Sequence, residues 1–408
     1  MPDVPQRSHG VAASDGLQWG PQDFSLVLGG PLYQLLRRAR LSDDVLMLQR
    51  RRVVVISLIA WLPLMVLSAL GGQLLGGGVA VPFLLDVDLH VKFLVAMPLL
   101  IAAELVVHQR MRTVARTFLD RRLIPEGATG RLDAAIASAY RLRNSVTAEV
   151  LLVAVVYILG ITVIWRHYAT LDAATWYATP TADGSSLTLA GVWYGYVSLP
   201  VFQFLLCRWY FRVFIWARLL WQVSRIELNL VPTHPDRAGG LGFLSTTVHA
   251  FIPLLMAHGA LLSGQLANQI FYAGAVLTQF KLEILLLVIF VLFLVIGPLL
   301  VFAPQLARAR RTGLREYGTL AQRYVREFDT KWLRGGAPAD ESVLGSGDIQ
   351  SLADLGNSFA VVQDMRVVPI SKQAILQLGA ATVAPVVPLL LTLMPLEQLL
   401  NKLFGIIF

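Results

Sequence analysis

A single cysteine, Cys207, stands in a chain of 408 residues, so no internal disulfide and no Cys-x-x-Cys redox or zinc site is available. Charge is scarce too: 15% of residues are Asp, Glu, Lys or Arg, against about 25% in a water-soluble globule. The motifs of hydrolytic, metal and nucleotide chemistry are missing, with no His-Glu-x-x-His, no Gly-x-Ser-x-Gly and no phosphate-loop lysine. Seven histidines are scattered along the chain, and only His249 and His258 share a hydrophobic segment, on opposite faces. These absences argue against a metalloenzyme or an ATP-driven pump on this chain alone, and no catalytic residue, cofactor or metal is expected. The first 30 residues are polar and broken by Pro and Gly, so no cleavable signal peptide is expected either.

What the chain has in abundance is apolar sequence, at 56% of all residues. Roughly 20 mostly apolar residues suffice for a helix to cross the hydrocarbon core, where no water can satisfy loose backbone groups. Seven stretches qualify, near residues 53–75, 91–108, 147–168, 191–215, 247–275, 282–304 and 373–394. Lys and Arg accumulate on the cytoplasmic side of short loops. Of 34 such residues, 7 lie in 1–52, 8 in 109–146, 5 in 207–240 and 10 in 306–372, all on one side of the threading. The expected protein is therefore all-α and polytopic, with seven transmembrane helices, a cytoplasmic amino terminus and a periplasmic carboxyl terminus. The net charge of +8 follows the membrane sides and forms no lysine-rich block, so the bilayer and its anionic headgroups are the expected partners and nucleic acid is not. A second copy of the chain or another membrane protein is the remaining candidate partner.

Between the spans, residues 1–28 read as a disordered tail and 29–52 as an interfacial and cytoplasmic helix, with Leu32, Leu35 and Leu36 opposite Arg37, Arg38 and Arg40. Ser42 with Asp43 and Asp44 has the pattern of an N-cap and acidic first turn leading into the first span. A transmembrane domain over 53–306 follows, its 109–146 loop carrying an extension of the second span and an amphipathic helix, RLDAAIASAYRLRN. Over 307–371, Leu306, Leu314, Tyr317, Leu320, Tyr324, Phe328 and Trp332 predict another cytoplasmic helix, then a linker and a short helix capped by Asp348. Residues 372–408 hold the seventh span, where Pro385 and Pro388 predict a kink, and an amphipathic tail.

Three groups of residues are candidates for function. The loop Pro232-Thr233-His234-Pro235-Asp236-Arg237-Ala238-Gly239-Gly240-Leu241-Gly242 is shaped by two prolines and three glycines. The amides of Gly239, Gly240 and Gly242, with Arg237, suit an anion nest, and His234 with Asp236 a proton-responsive pair. The same residues suit a tight turn in which Asp236 caps amides. Pro-x-His-Pro-Asp-Arg-Ala-Gly-Gly-Leu resembles a stretch shared by bacterial multi-pass inner-membrane proteins of unassigned function. That resemblance covers the loop alone and implies a bacterial inner-membrane origin but no activity.

On the fifth span, His258, Gln265, Gln269 and Tyr272 fall within an arc of roughly 60° at 100° per residue. This stripe is either a path for water, protons, ions or a small polar solute, or a helix contact helped by Gly259, Ser263 and Gly264. Glu104 and Arg208 lie at comparable depth on the second and fourth spans and are expected to pair, since either alone is costly in hydrocarbon; the alternative is that the arginines, Arg212 above all, snorkel to the headgroups. The expected function is a channel or secondary transporter, the alternatives being a non-transporting scaffold or signalling subunit and a lipid-headgroup-modifying enzyme.

Overall fold

The computed structural model describes residues 24–38, 49–76, 78–160, 175–181 and 184–393. Ser42, Asp43 and Asp44, the outer part of the third span and the tail after residue 393 lie outside these described residues. The protein is an all-α, polytopic membrane protein. Among the described residues six helices are long and apolar enough to cross a bilayer: α2 (Gln49–Leu70), α3 (Val87–Asp120), α6 (Leu189–Val223), α7 (Phe243–Ala273), α8 (Leu277–Leu333) and α10 (Lys372–Leu393). The described residues also hold four shorter α-helices: α1 (Pro31–Arg38), α4 (Thr129–Arg143), α5 (Val146–Leu159) and α9 (Gly347–Gln363). Helix α5 is the start of the expected third span. A hairpin of β1 (Ala178–Thr181) and β2 (Gly184–Leu187) precedes α6, registered from Ala178 opposite Leu187 to Thr181 opposite Gly184.

Proline shapes most of these helices. Its ring displaces the carbonyl four residues back and it has no N–H, so the hydrogen-bond ladder must slip nearby. Ahead of Pro98 and Pro200 the slip is a π turn: Met97 N–H bonds to the Lys92 carbonyl and Leu199 N–H to the Tyr194 carbonyl, each five residues back. The two turns meet, with Lys92 Nζ donating to Tyr194 Oη at 3.3 Å and the Phe93 and Tyr194 rings edge to face. At Pro298 and at Pro385 with Pro388 the slip is a 3₁₀ stretch, over Gly297–Phe302 and Ala384–Leu393. The expected kink of the last span is thus a change of helix type.

Helices α3 and α7 cross where Gly264 faces Asp88 and Val91, and α7 meets α10 where Gly259 faces the Thr382 carbonyl. Backbones approach this closely only over glycine. Helix α3 runs on past the hydrocarbon to Asp120, as the periodicity of 111–119 predicts. The basic segment after the sixth span is no separate helix but the continuation of α8, whose 57 residues extend about 85 Å at 1.5 Å per residue, against a hydrocarbon thickness of about 30 Å. Its Tyr324 Oη donates to the Asp348 carbonyl at 3.1 Å, and Phe359 of α9 lies against Gly318. The Asp348 carboxylate does not cap α9; Ser346 does, while Asp348 accepts from Lys331 Nζ at 2.8 Å and Trp332 Nε1 at 3.0 Å.

One expectation fails at the amino-terminal side. Of the tail expected to be disordered through residue 28, Phe24 to Leu28 are buried in the core at the arginine-rich end of the bundle. Phe24 stacks on Tyr140 of α4 and leans on Trp216 of α6, and its N–H bonds to the Arg112 carbonyl.

Candidate functional site

Glu104 faces the bundle interior from α3 and is 3% exposed. A lone carboxylate there would cost several kcal/mol. It is met by three guanidinium groups: Arg52 of α2 pairs with Oε2, while Arg212 of α6 reaches Oε1 at 2.7 Å and Arg208 reaches the same oxygen at 3.6 Å. Arg208 turns its other amine to Glu149 of α5, 3.4 Å away. One carboxylate, Glu104, ties three helices distant in sequence, α2, α3 and α6, and Glu149 adds α5. The expected Glu104 to Arg208 pair is present, but Arg212, to which the snorkelling alternative most applies, is buried and holds Glu104 more closely. Its guanidinium also lies 4.9 Å above the Trp209 ring, whose Nε1 donates to the Leu100 carbonyl.

Charge does not balance here. Among the described residues three buried guanidinium groups face the two carboxylates Glu104 and Glu149, and Arg143 stands at the edge with a carbonyl as partner. Burial pushes the Arg143 guanidinium down to about 10. The Nε of Arg52 is buried with no hydrogen-bond acceptor among the described residues.

The amino-terminal segment covers this cluster. Ser25 Oγ lies 3.0 Å from His108 Nδ1, and the Ser25 carbonyl accepts from Arg143 Nη1 at 2.6 Å. The chain then passes over Glu149 as Gly29 and Gly30, with φ of +135° and +90°. A Cβ on Gly30 would touch Glu149 Oε1, and one on Gly29 would strike Arg143. Glu149 Oε2 then accepts the Leu32 N–H at 2.7 Å, in the first turn of α1.

The 232–242 loop is built as a nest, and the anion in it is the chain's own. The Asp236 carboxylate accepts from the amides of Ala238, Gly240 and Gly242 at 2.8, 3.2 and 2.8 Å. Burial opposes its charge, but these three donors and the neighbouring His234 outweigh it and hold the carboxyl below its ordinary range. A Cβ on Gly242 would collide with Asp236. Arg237, at φ +52°, points away to Asp364 at 3.3 Å, and Arg366 closes the loop by donating to the Asp236 carbonyl and, from its amide, to the Arg237 carbonyl. His234 Nδ1 lies 2.9 Å from Asp236 Oδ1. The tight-turn alternative describes the geometry, and the nest has no room left for an external phosphate.

A group whose native state holds its carboxyl below the usual range stabilises the fold above that range and loses the contribution as pH falls below about 4, because the unfolded chain there binds the extra proton. Hydrogen exchange at Ala238, Gly240 and Gly242, corrected for intrinsic rates, is expected to show protection at pH 6 and its loss toward pH 3. Asp236→Asn turns an NH₂ toward one of these donors. It is expected to lose the protection at both pH values, at a cost of about 2 kcal/mol.

The fifth-span stripe divides. His258 is buried, with Tyr210 Oη 2.8 Å from Nε2 and the Leu254 carbonyl 2.7 Å from Nδ1. Gln265 is exposed although it lies on the same arc, and Tyr272, also exposed, donates to the Leu85 carbonyl at 2.8 Å. Gln269 is half-buried and gives its carbonyl to the helix end at Gly274. The four share an arc of α7 but no common lining, because the neighbours of α7 change along its length.

Sequence reasoning missed Arg52, Glu149 and Asn268. The first is the last of three consecutive arginines and reads as a membrane flank. Asn268 sits beside the stripe, where its Nδ2 donates to Asp86 Oδ1 at 2.8 Å and its Oδ1 accepts the Val87 N–H. Asp86 also accepts from Trp176 Nε1 at 2.9 Å, which seals the end of the bundle opposite the arginines. The signal for Asn268 was an amide in an apolar run. No family profile, no curated protein and no solved structure matches this chain.

Proposed function

We propose that the chain is a bacterial inner-membrane channel or secondary transporter for a small anion, with its amino terminus in the cytoplasm and its carboxyl terminus in the periplasm. The observation that carries this reading is the convergence of Arg52, Arg208 and Arg212 on Glu104 inside the bundle, with more buried positive than negative charge. Ionisable groups at membrane depth are expensive and mark pathways. A guanidinium fork presents the same donors to a carboxylate of the protein and to a free oxyanion or halide. Glu104 stands where a substrate anion would sit, so the anion's arrival and the carboxylate's departure are one exchange and the arginines are never left without a countercharge. The path follows the seam of α2, α3, α5 and α6 in place of the α7 stripe, whose His258 is already engaged on both ring nitrogens. The arginine-rich ends support this orientation.

Proteoliposomes holding the purified chain test this with chloride, nitrate and sulfate as probes and potassium as control. Passage of at least one anion is expected, with Arg208→Gln lowering it about tenfold, the factor that ~1.4 kcal/mol of barrier supplies. Gln265→Ala is expected to have no effect. Absence of anion flux, or flux unchanged in Arg208→Gln, contradicts the reading.

A second reading is a non-transporting scaffold or signalling subunit, and α8 favours it. Leu320, Val325 and Leu333 are exposed on the part of that helix that projects from the bundle. A cleft of about 640 Å³ opens between α8 and the turn after α6, with Arg225, Glu227, Arg308 and Glu316 in its walls. Headgroup chemistry at His234 and Asp236 has the least support, since Asp236 is held by three amides and is no free base.

A further inference from the structure

A crevice of about 440 Å³ opens on the side of the bundle between α2, α5 and α6. Its volume falls in the range of ligand sites, roughly 300–1,000 Å³. Ile56 and Ile59 of α2, Val153 of α5, and Pro200 and Phe204 of α6 form apolar walls. Ile59 is 52% exposed and Tyr157 42% exposed, so the mouth faces outward from the helices at membrane depth. From Arg52 to Ile59 the crevice follows α2 for about 10 Å. Tyr157, its other polar lining residue, has its hydroxyl committed to the Tyr196 carbonyl.

Arg52 closes the arginine-rich end. Its side chain is 3% exposed and pairs with Glu104 through Nη2, yet among the described residues its buried Nε–H has no acceptor. A buried donor without a partner is costly, and more so when it is charged. Beside it stand Arg208 and Arg212, so the local field is positive. The shape asks for a hydrocarbon chain and the end asks for an anion.

We propose that this crevice is a binding site for an anionic phospholipid, one acyl chain lying between α2, α5 and α6 and the phosphate accepting from Arg52 Nε. The charge of the site selects the headgroup and the apolar walls hold the tail. Such a lipid adds the missing negative charge to the cluster and stabilises the packing of three spans. This inference does not depend on transport.

The test is thermal unfolding and native mass spectrometry of the full chain in detergent, with phosphatidylglycerol, phosphatidylcholine or inorganic phosphate added. Phosphatidylglycerol is expected to remain bound and to raise the Tm, while phosphatidylcholine binds about tenfold more weakly, a difference of ~1.4 kcal/mol. Ile59→Trp places an indole in the exposed mouth without disturbing the core, and is expected to abolish retention while the lipid-free Tm stays unchanged. Arg52→Lys keeps the charge but has no Nε donor, and is expected to reduce the preference for phosphatidylglycerol. Equal retention of both lipids, unaltered retention in Ile59→Trp, or equal stabilisation by inorganic phosphate alone each overturns the proposal; the last assigns the site to a free anion.

Discussion

Glu104→Gln is expected to be the most damaging single-atom exchange in this chain. It removes one negative charge from among Arg52, Arg208 and Arg212 and turns an amide donor toward guanidinium groups that are donors only. Breaking a buried pair by neutralising one partner costs about 3–5 kcal/mol, because the other charges remain where water does not reach. Here three are left with Glu149, which of the three reaches Arg208 alone and spends its other oxygen on the Leu32 N–H. The detergent-purified variant is expected to unfold far below the wild type, or to be lost during expression. Arg212→Gln, which leaves Glu104 with two partners, is expected to be milder. Equal stability of Glu104→Gln and wild type in a thermal scan would show that the cluster is wet and its charges screened.

Gly259→Ala is expected to rank second. A single methyl at this position runs into the backbone carbonyl of Thr382, and a backbone atom cannot turn aside as a side chain would. Helices α7 and α10 must separate or shift, and overpacking of this kind costs about 1–3 kcal/mol where side chains can adjust, so a larger loss is expected against backbone. Gly379→Ala is the control: nothing lies within 4 Å of its missing Cβ, and alanine is the better helix former by about 1 kcal/mol. Thermal scans of the two variants are expected to move in opposite directions. If both behave alike, the close crossing is wrong.

The helices themselves were legible because lipid imposes one rule along the whole chain: apolar residues in runs of membrane length, arginine at one end. The same rule explains the limits. Arg52 and Arg212 sit at the ends of apolar runs, where snorkelling to headgroups and burial against a partner look identical until a distant helix supplies Glu104. The pairing of Glu104 with Arg208 is readable because the two stand at comparable depth on the second and fourth spans. Phe24 to Leu28 look like tail in the sequence since five residues at a polar terminus show no period, and the rings that receive Phe24, Tyr140 and Trp216, are distant in the chain. The α7 stripe was correct as an angle on a helical wheel, but a wheel carries no information on which neighbour occupies that angle at each turn. Asp236 was undecided for a different reason. An anion nest and a capped turn use the same glycines, and only the position of one carboxylate separates them.

The claim on which the rest stands is that Glu104 and Arg212 are joined directly inside the bundle. A double-mutant cycle with Glu104→Gln, Arg212→Gln and the pair together, read as unfolding free energy in detergent, measures that junction. The account predicts strong coupling, at least about 2 kcal/mol, with the double variant more stable than the sum of the single losses. Losses that simply add would mean that the two charges do not meet, and the buried cluster would have to be abandoned.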